Sequence, residues 1–272
     1  IVVDDSGPAR QAPDLSKWRR SLKLKQWRNE NTLGLPSARN AGAGLATGDF
    51  LVFLDSDDRL APTFIQDTLH ELRQCGVDGV YTLVQLFGDS SFLWEPECTL
   101  IALLSGLPGP ATFLMKREVF ERVGGFKTQL LYNCDHDFWI SAVAQGFRFA
   151  RLNKPLFLYR KHPRSLSTIR RSEWWQAIPR LINEHKELYA EHFAEILTAK
   201  ERQYRQLEEQ YHHIYREWQQ SDRRCTELNE KYNTLCSSPS FRAFQRLLDY
   251  KQRLLERLST RKRASSSTAD LT

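Results

Sequence analysis

Three acidic residues within four positions are the feature of this sequence that most clearly implies chemistry. Asp55, Asp57 and Asp58 end the apolar run 49–54, which is typical of a buried strand that stops at a ligand-facing edge. Carboxylates this close repel one another unless water, a basic partner or a hard cation compensates. Because Mn²⁺ and Mg²⁺ bind carboxylates and phosphates, the cluster predicts a cation held on a diphosphate. The alternative is a solvated turn that caps the next helix.

An acidic pair and an arginine upstream are suited to contact the rest of a nucleotide. Asp4 and Asp5 follow the short apolar run 1–3, and their carboxylates suit hydrogen bonds from a base or ribose. Such a pair alone is more often a turn. Arg39 lies among small residues in the predicted helix 36–45, where an always-charged guanidinium suits phosphate recognition.

Two later segments combine titratable side chains. Asp135 and Asp137 open a predicted helix over 135–145, where one of them could serve as an N-terminal cap. Arg160 and His162 lie in a basic loop, and a lone histidine in such a loop is more often without a metal.

Strands alternating with helices predict the elements that position these residues. The rhythm favours a doubly wound α/β domain with a parallel-type sheet that closes near Thr168. The predicted strands are 1–3, 49–54, 79–86, 147–152 and 156–159, and the predicted helices are 36–45, 62–74, 116–123 and 135–145.

A different composition begins near residue 172, with charged and aromatic residues and no glycine. Apolar residues recur there on alternating three- and four-residue steps from Ala190 to Leu235, with Lys200 and Ser221 as the interruptions. This heptad pattern predicts that the extension 169–238 is a coiled coil that forms a homodimer or binds a partner. The alternative is a long helix that folds back on its own domain.

The net charge of +6 is concentrated near the C-terminus. Residues 240–263 contain eight Lys or Arg against two acidic residues, and apolar residues are interleaved with them. A basic amphipathic helix over 239–263 is suited to an anionic membrane surface, and equally to docking on a neighbour. Nucleic acid is disfavoured as a partner because no stacking platform accompanies these charges. The tail 264–272 is predicted to be disordered.

Cysteine usage and hydropathy restrict the cellular setting. The five cysteines are odd in number and widely spaced, which favours a reducing compartment and argues against a zinc site or a disulfide scaffold. No apolar run reaches membrane-spanning length. The sequence begins directly with a predicted strand and shows no signal peptide. We therefore expect that the domain lacks the strand that would precede residues 1–3. We also expect a cytoplasmic protein that is soluble or peripheral at the inner face of the membrane.

Three segments, in this order and spacing, resemble glycosyltransferase family 2, the inverting enzymes of the GT-A fold. They are residues 3–6 (VDDS), 31–42 (NTLGLPSARNAG) and 46–58 (ATGDFLVFLDSDD). The resemblance continues through residues 113–120 (FLMKREVF), 123–126 (VGGF), 134–139 (CDHDFW) and 159–167 (YRKHPRSLS) and covers roughly 1–168. Cys134 replaces the usual glutamate, and the family's first strand with its nucleotide-binding loop has no counterpart.

The resemblance implies roles for individual residues. Asp135 aligns with the general base that deprotonates the acceptor hydroxyl. Asp57, Asp55 and His162 would hold Mn²⁺ or Mg²⁺. The residues implied in nucleotide-sugar binding are Asp4, Asp5, Arg39, Asp55, Asp137 and Arg160. The expected donor is a UDP-, dTDP- or GDP-sugar, and the expected acceptor is a glycan or lipid-linked glycan of the bacterial surface-polysaccharide type.

Two other functions remain as alternatives. A sugar-phosphate nucleotidyltransferase also uses an α/β domain with acidic metal ligands, but it would show an early glycine-rich phosphate loop, which is missing here. A non-catalytic scaffold would bind a nucleotide in the α/β domain and recruit partners through the helices. The replacement of the family glutamate by Cys134 is its best support.

Overall fold

A computed structural model describes residues 1–8, 10–19, 23–169 and 171–239. The chain divides into two compact units, Ile1–Arg202 and Gln203–Thr272. The strands of the first unit are β1 (Val2–Asp4), β2 (Gln26–Arg28), β3 (Phe50–Val52), β4 (Arg59–Leu60), β5 (Gly79–Gly88), β6 (Leu93–Trp94), β7 (Leu114–Lys116) and β8 (Phe149–Lys161). The helices are α1 (Ser16–Arg19), α2 (Leu35–Leu45), α3 (Phe64–Cys75), α4 (Leu100–Leu104), α5 (Arg117–Val123), α6 (Cys134–Ala144), α7 (Leu166–Ile169), α8 (Arg171–Glu184), α9 (Lys186–Glu191) and α10 (Phe193–Ser237).

The main sheet is mixed and has the strand order β3-β7-β5-β8-β4, with β6 paired to β5. β5 and β8 are parallel, and the other pairs in this sheet are antiparallel. β1 and β2 form a separate parallel pair. The first six residues of β5 are buried, as expected for a central strand. The predicted α/β class is confirmed, with a mixed sheet.

The prediction of two strands over 147–152 and 156–159 is wrong, because β8 runs through both. The pairing of β5 with β8 shifts register next to Leu83, which lies opposite Pro155. Proline has no backbone N–H to give to a ladder, and an irregularity at that point accommodates it without breaking the strand.

Helices cover both faces of the sheet, each over its own apolar cluster. Phe64 and Leu72 of α3 pack with Val80 and Val84 on one side. The other cluster is rich in aromatic rings and centres on Trp139 of α6, which is fully buried. Alternate residues of β5 thus enter opposite clusters, which is the layer arrangement that a doubly wound domain requires.

Helices beyond the predicted domain end also enter the aromatic cluster. Leu181 of α8 and Ile196 of α10 are buried in it. The boundary near Thr168 stays a prediction, and the compact unit of the structure continues to Arg202.

In the described part of the second unit, residues 203–239, α10 extends to Ser237. The predicted extension is therefore helical, while the coiled coil stays a prediction. No described helix combines the length and the apolar character needed to cross a bilayer. The predicted basic helix 239–263, apart from Pro239, and the tail 264–272 lie outside the described residues.

Candidate active site

Asp5 fixes the start of α2, the helix that carries Arg39. One carboxylate oxygen accepts hydrogen bonds from the Leu33 backbone N–H (3.0 Å) and from the Asn29 side chain (2.7 Å). The other accepts from the Gly34 backbone N–H at 2.7 Å. Gly34 has φ of 90°, a conformation that suits glycine. Both Asp5 oxygens thus hold the backbone of the loop, and a nucleotide contact by Asp5 stays a prediction.

Asp4 is buried at the end of β1. Its Oδ1 accepts a hydrogen bond from the Ser6 backbone at 3.0 Å, and Arg28 Nε lies 3.7 Å from its Oδ2. Hydrogen bonds from Ser6 hold the pKa of Asp4 below its usual range. The side chain is therefore an anion at neutral pH.

Arg39 lies at the centre of the candidate site. Its guanidinium is buried, and Nη2 donates to Asp55 Oδ1 at 2.9 Å. The group also stacks over the Phe126 ring at 5.3 Å. Burial opposes the charge, but attraction by Asp55 and Asp135 outweighs it and raises the pKa of Arg39. Arg39 Nε has no hydrogen-bond partner within the described chain, so the cation retains a donor.

The side chain of Cys134 also contacts Arg39. Cys134 Sγ lies 3.9 Å from Arg39 Nη1 and is buried. Burial raises the pKa of Cys134 to about 12, so this thiol is neutral near pH 7. The glutamate that the resemblance leads us to expect here would add a further carboxylate near Arg39, in addition to Asp55 and Asp135. Cys134 leaves more of the positive charge uncompensated.

Asp57 and His162 meet although 105 positions separate them. His162 Nε2 lies 2.9 Å from Asp57 Oδ2, and both side chains are about one third exposed. A carboxylate oxygen and an imidazole nitrogen are both common ligands of divalent ions, so this pair fits the implied metal. Asp55, the third predicted ligand, is bound to Arg39 instead.

A cation held by Asp57 and His162 needs further ligands from the substrate. Within the described ranges, no group of three or more His, Cys, Asp or Glu side chains is arranged to bind a metal. Mg²⁺ sites of this kind use one or two carboxylates and complete their coordination with phosphate oxygens and water. The pair therefore fits a cation that arrives with a diphosphate.

Asp135 and Asp137 lie in the same helix, α6, but in different surroundings. Asp135, at the start of α6, is half-buried, accepts the His136 backbone N–H at 2.9 Å and lies close enough to Arg39 to raise its pKa. Asp137 is only 1% exposed, and its Oδ1 accepts from Lys127 Nζ (3.0 Å) and His185 Nε2 (2.7 Å). The structure brings Asp135 to Arg39 and places Asp137 in an internal network.

Residues 1–141, just over half of the chain, match glycosyl transferase family 2. The chain belongs to this family. It is 32% identical over 178 residues to the amylovoran biosynthesis glycosyltransferase AmsB of Erwinia amylovora, a match that covers 58% of each protein. It is 29% identical over 192 residues to the uncharacterized glycosyltransferase EpsJ of Bacillus subtilis, covering 62% of this chain and 54% of EpsJ. The chain thus spans a little more than half the length of these relatives.

Solved structures show the same fold. A crystal structure of S. aureus TarS 1-349 in complex with UDP-GlcNAc matches with a TM-score of 0.53 and 19% identity, covering 62% of this chain and 52% of that one. A second S. aureus TarS structure matches with a TM-score of 0.52, covering 67% and 33%. At this identity the likeness concerns the fold alone.

Asp58 belongs to the acidic cluster from which the sequence predicts a cation site, and the structure shows a contact of its own for this side chain. It is buried, and its Oδ1 accepts the Arg160 backbone N–H at 2.8 Å, which fastens the acidic loop to β8. Its Oδ2 has no hydrogen-bond partner in the described residues, and burial raises the pKa of Asp58 to about 7. Its partner in the structure is 102 positions away, so no local signal in the sequence marks this contact.

The Arg160 side chain is exposed and stacks on the Phe87 ring, with its guanidinium carbon 5.6 Å from the ring centroid. Arg59 contacts the same ring at 5.3 Å. Because the Arg160 backbone binds Asp58, its guanidinium is carried on the strand that borders the acidic loop. Its predicted contact with the donor stays a prediction.

Proposed function

We propose that this chain transfers a sugar from a nucleotide-diphosphate sugar to a hydroxyl group of a glycan or lipid-linked acceptor, with inversion. The observation that carries the proposal is the position of Arg39. Its buried guanidinium donates to Asp55 and lies beside Cys134 and Asp135. A fixed cation between an acidic loop and a candidate base can stabilise the negative charge that develops on a departing diphosphate.

The proposed reaction is a single displacement. Asp135 accepts the proton of the acceptor hydroxyl, whose oxygen forms a bond to the anomeric carbon. The bond between that carbon and the diphosphate oxygen breaks, and the nucleoside diphosphate leaves with the electron pair. Arg39 stabilises the negative charge that develops on the leaving group. Inversion follows because attack and departure occur on opposite faces of the sugar.

Metal dependence is part of the proposal. Asp57 and His162 would hold Mn²⁺ or Mg²⁺, since their side chains already lie within 2.9 Å of each other. Such an ion supplies Lewis-acid stabilisation of a diphosphate leaving group. Asp55 would act through its ion pair, by keeping Arg39 oriented.

The substrate classes rest on the relatives. The UDP-GlcNAc complex of TarS supports a UDP-sugar as the first donor to test, with dTDP- and GDP-sugars as alternatives. The name of AmsB supports a polysaccharide or its lipid-linked precursor as the acceptor. The predicted basic helix 239–263 supports a cytoplasmic location, with the protein peripheral at the inner face of the membrane.

A non-catalytic nucleotide-binding scaffold is the second candidate, because Cys134 stands where the family has a glutamate. The Cys134 thiol is neutral and cannot accept a proton as a glutamate carboxylate could. The two candidates differ in turnover and agree in nucleotide binding.

The test is release of nucleoside diphosphate from UDP-, dTDP- and GDP-sugars, with Mn²⁺, with Mg²⁺ and with EDTA. We expect release from one donor class that stops in EDTA and in Asp57→Ala, while Glu118→Ala, an exposed carboxylate on α5, behaves as wild type. Nucleotide binding without release under any condition would favour the scaffold. Release that is unchanged in EDTA would remove the metal from the proposal.

A further inference from the structure

The second unit presents one long apolar seam to solvent. From residue 203 onward, α10 carries apolar residues on alternating three- and four-residue steps, with Ser221 as the one polar position on the seam. The large apolar residues on this seam are 57–66% exposed. One row of the seam is Tyr204, Tyr211, Trp218, Cys225 and Tyr232; the other is Leu207, Ile214, Ser221, Leu228 and Leu235. A sustained heptad seam needs a second helix to bury it.

We propose that residues 203–237 pair with the same residues of a second copy as an antiparallel two-stranded coiled coil. The two-fold axis passes between Gln219 and Gln220. This register places Gln203 opposite the partner's Cys236. Nearly the whole segment 203–237 therefore lies alongside the same segment of the second copy. The proposal goes beyond the catalytic function and does not depend on it.

Side-chain size favours this orientation. In the antiparallel register, Trp218 faces the partner's Ser221, and Tyr211 faces the partner's Leu228. The remaining layers pair Tyr204 with Leu235, Tyr232 with Leu207 and Cys225 with Ile214. Each bulky side chain therefore meets a smaller one, the combination that fills a helix interface without voids or overpacking. A parallel pairing in register would stack Trp218 on Trp218 and each tyrosine on its own copy.

Flanking charges favour the same orientation and fix the register. Glu217 and Arg224 lie on the same edge of the seam, one heptad apart. The antiparallel register places each Glu217 opposite the partner's Arg224, which gives two ion pairs by symmetry. A parallel pairing would place Glu217 opposite the partner's Asp222, where like charges repel. His213 on the same helix lies 3.5 Å from Glu217 and adds no negative charge.

Neighbouring antiparallel registers are worse. A shift of one heptad in one direction places Glu217 opposite its own copy, and the opposite shift places Arg224 opposite its own copy. Each brings like charges together on the two-fold axis. The register centred between Gln219 and Gln220 avoids both contacts.

The first experiment measures dimer dissociation of the full chain by sedimentation equilibrium. Glu217→Arg is expected to raise the dissociation constant about tenfold, because two attractive pairs become repulsive. Arg224→Glu should do the same, and the double substitution should restore the dimer. The control Glu230→Arg lies on the opposite face of the helix and should leave the dissociation constant unchanged. Helical circular dichroism establishes that each variant is folded.

The second experiment reads orientation by oxidation. Cys75 and Cys236 are first changed to serine, so that Cys225 is the one remaining cysteine outside the protein interior. Cys98 and Cys134 are buried and are left unchanged. In this background Cys225 should form no disulfide with its own copy. Adding Ile214→Cys should produce a cross-linked dimer, because that position faces the partner's Cys225. Peptide mass spectrometry of the linked species should identify residues 214 and 225.

A dimer with these charge-swap and cross-linking results would establish the proposal. A wild-type chain that is still monomeric at about 100 µM would overturn the proposal. A trimer or a tetramer would overturn it as well. Glu217→Arg that strengthens the dimer, or Cys225 that links to its own copy, would show a parallel pair instead.

Discussion

Replacement of Lys127 by methionine tests whether Asp137 is a structural residue. Lys127 Nζ lies 3.0 Å from Asp137 Oδ1 and 3.0 Å from Glu184 Oε2. Asp137 is 1% exposed, and His185 is its other partner at 2.7 Å. Lys127→Met keeps the length of the side chain and removes the cation. A buried carboxylate then retains one partner and loses a charge-assisted hydrogen bond.

The expected loss is about 2–3 kcal/mol in the free energy of unfolding. Removing one partner of a fully buried ion pair costs about 3–5 kcal/mol, and two features reduce that cost here. Lys127 is 33% exposed, so water already screens its charge, and His185 still contacts Asp137. For a unit of roughly 200 residues, this loss lowers Tm by about 4–12 °C.

Urea unfolding at pH 8 is the assay, with Lys154→Met as the matched control. Lys154 pairs with Asp67 at 3.0 Å but is 55% exposed, so its loss is expected to cost about 0.5 kcal/mol or less. In a double-mutant cycle, Lys127→Met and Asp137→Asn should be coupled by more than about 1 kcal/mol. The reasoning is refuted if Lys127→Met costs no more than Lys154→Met, or if Asp137→Asn retains stability and loses donor binding.

Two further predictions concern stability. Burial lowers the pKa of His136, so the unfolded chain binds a proton more readily than the folded protein, and stability should decline as the pH falls below about 6.5. His136→Gln, whose amide can still donate to the Leu103 carbonyl, should remove that part of the decline in urea titrations at several pH values. Gly88→Ala should cost about 2–4 kcal/mol, because φ is 98° and a Cβ would overlap the Lys161 carbonyl oxygen. Gly76→Ala, also at positive φ but facing open space, should cost about 1 kcal/mol; equal losses would contradict the overlap.

Local signals in the sequence predicted much of the fold and the site. An apolar run followed by carboxylates placed Asp55 and Asp57 after β3, and Gly124 and Gly146 marked helix ends. Both glycines have positive φ, which is the physical reason for that signal. The order of the family 2 motifs predicted the α/β domain that the structure has.

Contacts between distant segments could not be predicted. Asp137 lies beside Asp135 in sequence, yet its partner His185 is 48 positions away, so its burial gave no local signal. Asp5 likewise binds backbone 28 and 29 positions downstream. The single strand β8 was missed because Pro155 normally ends a strand, and its tolerance depends on the register shift opposite Leu83.

The most direct test of the central claim is turnover of Asp135→Asn with the donor that the wild type uses. The substitution keeps the shape of the side chain and removes its capacity to accept a proton. We expect product formation to fall at least about 100-fold while nucleotide-sugar affinity stays within about threefold of wild type. Turnover equal to wild type would contradict the assignment of Asp135 as the base and, with it, the proposed single displacement.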